Sequence, residues 1–204
     1  MGKFLEFVFN RFFLGMIVTA FFWLFTLAGG VVFGLAPASA TLMSLYAEHG
    51  YTYRAYSLKE AWELYKSNFV KSNLAFYSFV FVDLVLVYGL YLLVQLPHQT
   101  IFHLLATFLN VLVVVLVFLA YTVSLKLQVY FDLSYRNTVK LSLIGIFMSL
   151  PAIAKVLIGT GLLVGVGYYM PALLFFVGIG VWHFFISDML EPIYESIHEK
   201  LATK

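Results

Sequence analysis

Two ionisable side chains sit inside runs of sequence that are otherwise long and apolar: Asp83 within residues 74–95 and Lys155 within residues 141–166. At the centre of a membrane-spanning helix either one costs at least about 2.5–3.5 kcal/mol unless it is paired or faces a cavity. Opposite charges so placed point to an ion pair, a polar substrate site or an ion relay. Counted from the starts of their runs, Asp83 lies roughly 14 Å deep and Lys155 roughly 21 Å at 1.5 Å per residue, a difference that a lysine stem covers. The expectation is an Asp83–Lys155 ion pair between the second and fourth spans that fixes helix register. Pro151, one turn before Lys155, removes an intrahelical hydrogen bond and would kink the fourth span.

His103 and His183 raise the question of haem, since two imidazoles from neighbouring helices can ligate one iron. His103 falls near the start of the third apolar run and His183 about twelve residues into the fifth, more than about 10 Å apart along the membrane normal. No haem is expected. His183 is assigned a hydrogen bond within the bundle, to Asn110 or a backbone carbonyl, and His98 a place in a loop. Asp188, Glu191 and Glu195 recur three and four residues apart, on one face of a helix, and with His198 and Glu199 make its end acidic. Such a face can hold a divalent ion, yet no HExxH spacing accompanies it. A solvated helix end meeting basic loops is expected, with no metal and no cofactor. There is no GxSxG elbow, no GxxxxGK[ST] phosphate loop and no GxGxxG following a strand, so no catalytic residue is assigned and no enzyme is expected.

The elements that must position these groups follow from composition. Of 204 residues, 63% are hydrophobic and 11% charged, with a mean hydropathy of +0.96; a soluble domain is about 45–50% apolar and about 25% charged. The chain is expected to be an integral membrane protein, a single all-α bundle embedded in a lipid bilayer, with no room for a separate catalytic domain. A net charge of +2 gives no reason to expect nucleic acid, and the absence of cysteine removes disulfides and thiolate sites. At about 20 apolar residues per crossing, five spans are expected at about 12–34, 74–95, 101–126, 141–166 and 171–187. The first apolar stretch is too long for a cleaved signal peptide and is expected to stay in the mature protein.

Lys and Arg crowd three connections: Arg54, Lys59, Lys66 and Lys71; Lys126, Arg136 and Lys140; and Lys200 with Lys204. By the positive-inside rule these segments and the C-terminus are cytoplasmic. Five simple crossings then put the N-terminus outside, with Lys3 and Arg11. The alternative is that residues 12–46 form a broken hairpin that enters and leaves on one side, turning around Gly29-Gly30 or Gly34–Pro37 and covered by protein. Ser57 to Glu60 reads as a capping box that opens a helix over about 57–71. Trp62, Tyr65 and Phe69 share one face of it and Lys66 lies elsewhere, so it is expected to lie on the cytoplasmic surface as a bilayer anchor or partner-docking helix. Ala36, Pro37, Ser39 and Ala40, like Gly159, Gly161, Gly165 and Gly167, permit close helix approach.

The order of these pieces carries a resemblance. A first span followed by Gly34-Leu35-Ala36-Pro37-Ala38-Ser39-Ala40-Thr41, then Trp62 and Tyr65-Lys66-Ser67-Asn68-Phe69-Val70-Lys71-Ser72-Asn73, resembles the YesL family of bacterial membrane proteins. So does Phe131-Asp132-Leu133-Ser134 with Asn137-Thr138 and Lys140 ahead of the fourth span. The likeness covers nearly the whole chain and is moderately specific, since each motif is short. The family has no established activity or catalytic residue to carry over. Its members are typically encoded beside carbohydrate-uptake transporters and glycoside-degrading enzymes, which implies a bacterial cell-membrane accessory of an ABC-type sugar permease and its ATPase. The chain itself lacks the Glu-Ala-Ala and Gly pattern by which such permeases engage the ATPase. The other expectation is a small substrate-binding membrane component of an energy-coupling transporter, with Ala36–Ala40 as its coupling face. Oligomeric state is left open, a homo-oligomer included.

Overall fold

The uncharged run that begins at Phe12 does not continue as one helix to residue 34. In the structure, a computed structural model that describes residues 2–96, 100–131 and 133–202, α1 (Gly2–Ala28) stops where Gly29 and Gly30 follow. Gly30 takes φ +70°; its amide donates to the Leu27 carbonyl at 3.0 Å and the Val31 amide to the Thr26 carbonyl at 2.8 Å. That pair of bonds is a Schellman stop, which needs a left-handed residue where glycine carries no penalty. The chain reverses over residues 29–34 and returns as α2 (Leu35–His49). Past α2, the Arg11 guanidinium lies over the Tyr51 ring and Phe13 meets Tyr53 edge-on at 5.7 Å. The end of α2 is therefore level with the Arg11–Phe13 turn of α1, and residues 12–46 form the broken hairpin rather than one helix reaching residue 34.

Because the chain contains no cysteine, introduced cysteines report this arrangement directly. Asn10→Cys and Arg54→Cys are expected to react with a membrane-impermeant maleimide from the same face of sealed vesicles, and Tyr169→Cys from the opposite face. Reaction of the first two from opposite faces would restore a simple first crossing.

Next comes α3 (Leu58–Val94), 37 residues long and thus about 55 Å. Residues 57–71 are not a separate surface helix: they are the first turns of this longer one. Ser57 makes no side-chain cap, and Glu60 instead meets His49 Nε2 at 2.8 Å. Antiparallel to it runs α4 (Ile101–Tyr130), with Phe76 and Phe79 against Tyr121 and Asn110 opposite Gly89. Then α5 (Tyr135–Met148) ends at Ser149, whose φ −144° and ψ 81° break the helix, and α6 (Leu150–Tyr169) begins with Pro151 in its first turn. A proline there replaces an amide that has no helical partner anyway. The expected span 141–166 is thus two helices, stopped rather than kinked. Last are α7 (Pro171–Met189), with one π turn at Leu174–Gly178, and α8 (Glu191–Ala202).

Five of these helices are long and apolar enough to cross a membrane, and no strand occurs among the described residues. The chain is an all-helical, multi-pass membrane protein. Its core centres on α2, where Ala36, Pro37, Ala38 and Ala40 are buried and let α1, α3, α4 and α7 close around it. Gly15 and Gly180 bring α1 and α7 into backbone contact, and the Gly180 amide donates to Thr19 Oγ1 at 2.9 Å. Gly159 receives the Phe185 ring, whereas Gly161 and Gly165 face open space and pack against nothing. The far halves of α3 and α4 expose Phe81, Leu84, Tyr88, Phe102, Leu105 and Phe108, the outside of a bundle whose solvent is lipid. Tyr91, Tyr168 and Tyr169 are also exposed, as interfacial belts require.

Candidate functional site

The expected Asp83–Lys155 pair is not formed. Lys155 is exposed on α6, which packs on α7, while Asp83 lies on α3, which packs on α4 and α2. Residue counting fixes height along a helix but not which helices are neighbours. Asp83 Oδ1 and Asn110 Oδ1 are each buried with no hydrogen-bond partner among the described residues. His98 and Asp132 lie outside the described residues.

Among the described residues the buried cation is Lys126. It is 1% exposed, and its Nζ donates to the Ser187 carbonyl and to Glu191 Oε2, each at 2.5 Å, with the Tyr130 and Tyr194 rings at 4.8 and 5.7 Å. Nearby, Asp188 accepts from Tyr46 Oη at 2.5 Å and from Tyr51 Oη at 2.8 Å. Burial above all, with the Asp188 carboxylate adding to it, pushes the Tyr51 phenol up, so it remains a protonated donor. The acidic end of the fifth span does meet basic groups, through Lys126 of α4 and, by way of the Tyr51 ring, Arg11 of α1. Sequence reading missed Lys126 because it ends the long uncharged run that starts at Ile101 and was taken to mark the edge of the lipid. The helix continues past the lysine to Tyr130, within the extension toward Ser134 that the sequence allows.

A second site lies within the bundle. Between α1, α2, α4, α6 and α7 is a cavity of about 520 Å³, lined chiefly by Phe22, Trp23, Phe118, Leu163, Leu174 and Trp182. Cavities of about 300–1,000 Å³ with few, fixed polar groups are the usual form of small-molecule sites. Its polar side chains are Ser39, Thr160 and His183, together with the two indoles. The π turn offers the Phe175 carbonyl to Trp23 Nε1 at 2.9 Å, and Trp23 stacks on the Phe175 ring at 4.7 Å. Across the cavity Trp182 Nε1 donates to Thr160 Oγ1 at 3.1 Å. His183, 1% exposed, bonds through Nδ1 to the Ile179 carbonyl at 2.7 Å, the backbone option of the two expected for it. Its Nε2 is buried and has no partner among the described residues. His103 is elsewhere, capping α4 with Thr100.

The expected docking face is mostly used up inside the protein. Tyr65 is 3% exposed and packs in one cluster with Phe25 and Trp62, with Phe69 edge-on to it, so the returning α1–α2 hairpin covers this face. Trp62 and Lys66 alone of the four residues stay at the surface.

Residues 16–90 match the profile of a family described as "Protein of unknown function, DUF624". No curated protein and no solved structure matches the chain. The matched stretch holds the second half of α1, the turn, α2 and nearly all of α3. It supplies Phe22, Trp23 and Ser39 to the cavity, whereas His183, Trp182, Lys126 and Glu191 lie outside it.

Proposed function

We propose that this chain is a YesL-type protein of the bacterial cell membrane, a non-enzymatic accessory subunit of carbohydrate uptake that docks within the bilayer against an ABC-type sugar permease and its ATPase. The observation that carries the reading is the lining of the cavity. A sugar needs several convergent hydroxyls, amides and carboxylates to replace its lost hydration, and the largely apolar lining offers few such groups. The protein itself is then unsuited to capture the sugar, and its contribution is made through contact with another protein. The long apolar faces of α3 and α4 support lateral contact in the membrane. The family match over residues 16–90 supports the YesL assignment.

The hairpin also bears on orientation. With residues 12–46 returning to their starting side, Lys3 and Arg11 join Arg54, Lys59 and Lys66, so the one exception to the positive-inside pattern disappears. The charged end, with the C-terminus, is cytoplasmic in this reading. The hairpin and the cavity also favour the second reading, a small substrate-binding membrane component. Its coupling face cannot be Ala36–Ala40, however, because Ala36, Pro37, Ala38 and Ala40 are buried inside the bundle.

In-membrane cross-linking in the native host, followed by affinity purification and mass spectrometry, tests the proposal. Stoichiometric recovery of a sugar permease with its ATPase is the expected result. Recovery of the chain alone, or with a transporter whose substrate is not a carbohydrate, would overturn it.

A further inference from the structure

The geometry points to the cavity as a binding site for an uncharged alcohol with a hydrocarbon body, entered from the lipid and read at its hydroxyl by His183. Because Nδ1–H donates to the Ile179 carbonyl, Nε2 of the neutral ring carries the lone pair and can only accept. That atom is buried without a partner in a residue that lines the cavity. The group that completes it must therefore donate. Thr160 Oγ1 already accepts the Trp182 indole and retains an O–H to give, and Ser39 brings a second hydroxyl. A ligand hydroxyl can meet both demands at once, donating to His183 and accepting from Thr160 or Ser39. A ketone or ether cannot donate, and a carboxylate finds no charged side chain in the lining.

The rest of the lining fits a hydrocarbon. Phe22, Trp23, Phe118, Leu163 and Trp182 present apolar surface, and Val164 and Phe175 at its rim are 61% and 49% exposed on the outside of the bundle, so the cavity opens toward lipid rather than water. Long-chain alcohols, polyprenols and diacylglycerols share the required chemistry. This inference is independent of the sugar-permease reading, since neither a permease nor a sugar enters the test.

Of the three tryptophans, Trp23 and Trp182 line the cavity and Trp62 does not. In a Trp62→Phe background, purified protein in detergent is titrated with a dibrominated octadecanol, whose bromines quench indoles on contact, and with its methyl ether. Saturable quenching is expected, with the alcohol favoured over the ether about tenfold, the size of one buried hydrogen bond that the ether leaves unmade. In His183→Phe the preference should fall to about one while the ether still binds. Equal binding of alcohol and ether by the unaltered cavity would overturn the proposal, as would an alcohol preference that survives His183→Phe. Competition needs no His183 variant: plain octadecanol should displace the brominated alcohol at about tenfold lower concentration than octadecyl methyl ether does. Equal displacement would overturn the proposal as well.

Discussion

Glu191→Ala is expected to destabilise this protein by about 3–5 kcal/mol, and Lys126→Met by far less, although both remove the same ion pair. The asymmetry comes from burial. The Lys126 side chain is 1% exposed and that of Glu191 45%. Without the carboxylate, an ammonium is left inside the bundle touching one backbone carbonyl and two aromatic rings, with only the more distant Asp188 and Glu195 carboxylates to offset its charge. Without the lysine, a half-exposed carboxylate rehydrates, and the methionine stem fills much of the space left by the lysine. Thermal unfolding followed by size-exclusion chromatography in detergent should show Glu191→Ala lowered by about 10 °C. The double variant Lys126→Met with Glu191→Ala should regain most of that loss. If Lys126→Met proves the more damaging single change, the lysine is not the costly partner and the pair is held differently. Since the pair braces α4 against the junction of α7 and α8, Glu191→Ala should also weaken quenching by both brominated lipids.

How much of this was legible in the sequence follows from what each signal measures. Hydropathy reports whether a helix fits lipid, so each of the five expected spans overlaps one of the five long apolar helices. Charge-free length does not report whether a run is one helix or two. Residues 12–46 contain both a span and a return, and the sequence marks the reversal only by two candidate turns, Gly29-Gly30 and Gly34–Pro37, of which the first stops α1. Pro151 implies a kink only where a helix already runs before it, whereas Ser149 ends one helix and Pro151 opens another. Asp83 and Lys155 were noticed because each interrupts an apolar run, yet Lys126, at the end of one, is the charge that is buried and paired. Depth is a one-dimensional quantity, and pairing depends on which helices touch. The Trp62, Tyr65 and Phe69 stripe was periodic for a sound reason, burial of one helix face, but periodicity does not say whether lipid, a partner or the chain's own α1–α2 hairpin covers it. The cavity left only a faint trace, because its walls come from five helices and its one informative atom, His183 Nε2, is defined by a hydrogen bond made on the other side of the ring.

Gly34→Ala separates the two topologies by sign. In a single span running through residue 34, alanine would replace a helix-interior glycine and stabilise it by about 1 kcal/mol. In the hairpin, Gly34 has φ −86° and ψ −26°, a conformation open to any residue, so no backbone strain arises from the substitution itself. The obstacle is steric: a Cβ there would run into the carbonyl oxygen and Cα of Thr26 and the carbonyl of Phe25. Those are backbone atoms fixed by the end of α1, and no rotamer change moves them aside. Relief requires α2 to shift away from α1, and α2 is the helix around which the others close. A loss of about 3 kcal/mol or more is expected, above the usual cost of overpacking a core. Gly30→Ala in the same turn provides the contrast. Its φ of +70° strains any other residue, but nothing lies within 4 Å of the new Cβ, so the cost should be only about 1–2 kcal/mol. Unfolding temperatures in the order wild type, Gly30→Ala, Gly34→Ala from highest to lowest follow from a closed hairpin crossing at residues 29 and 34. A Gly34→Ala protein more stable than wild type would mean that the first helix runs straight through the membrane, taking with it the same-face labelling of Asn10→Cys and Arg54→Cys.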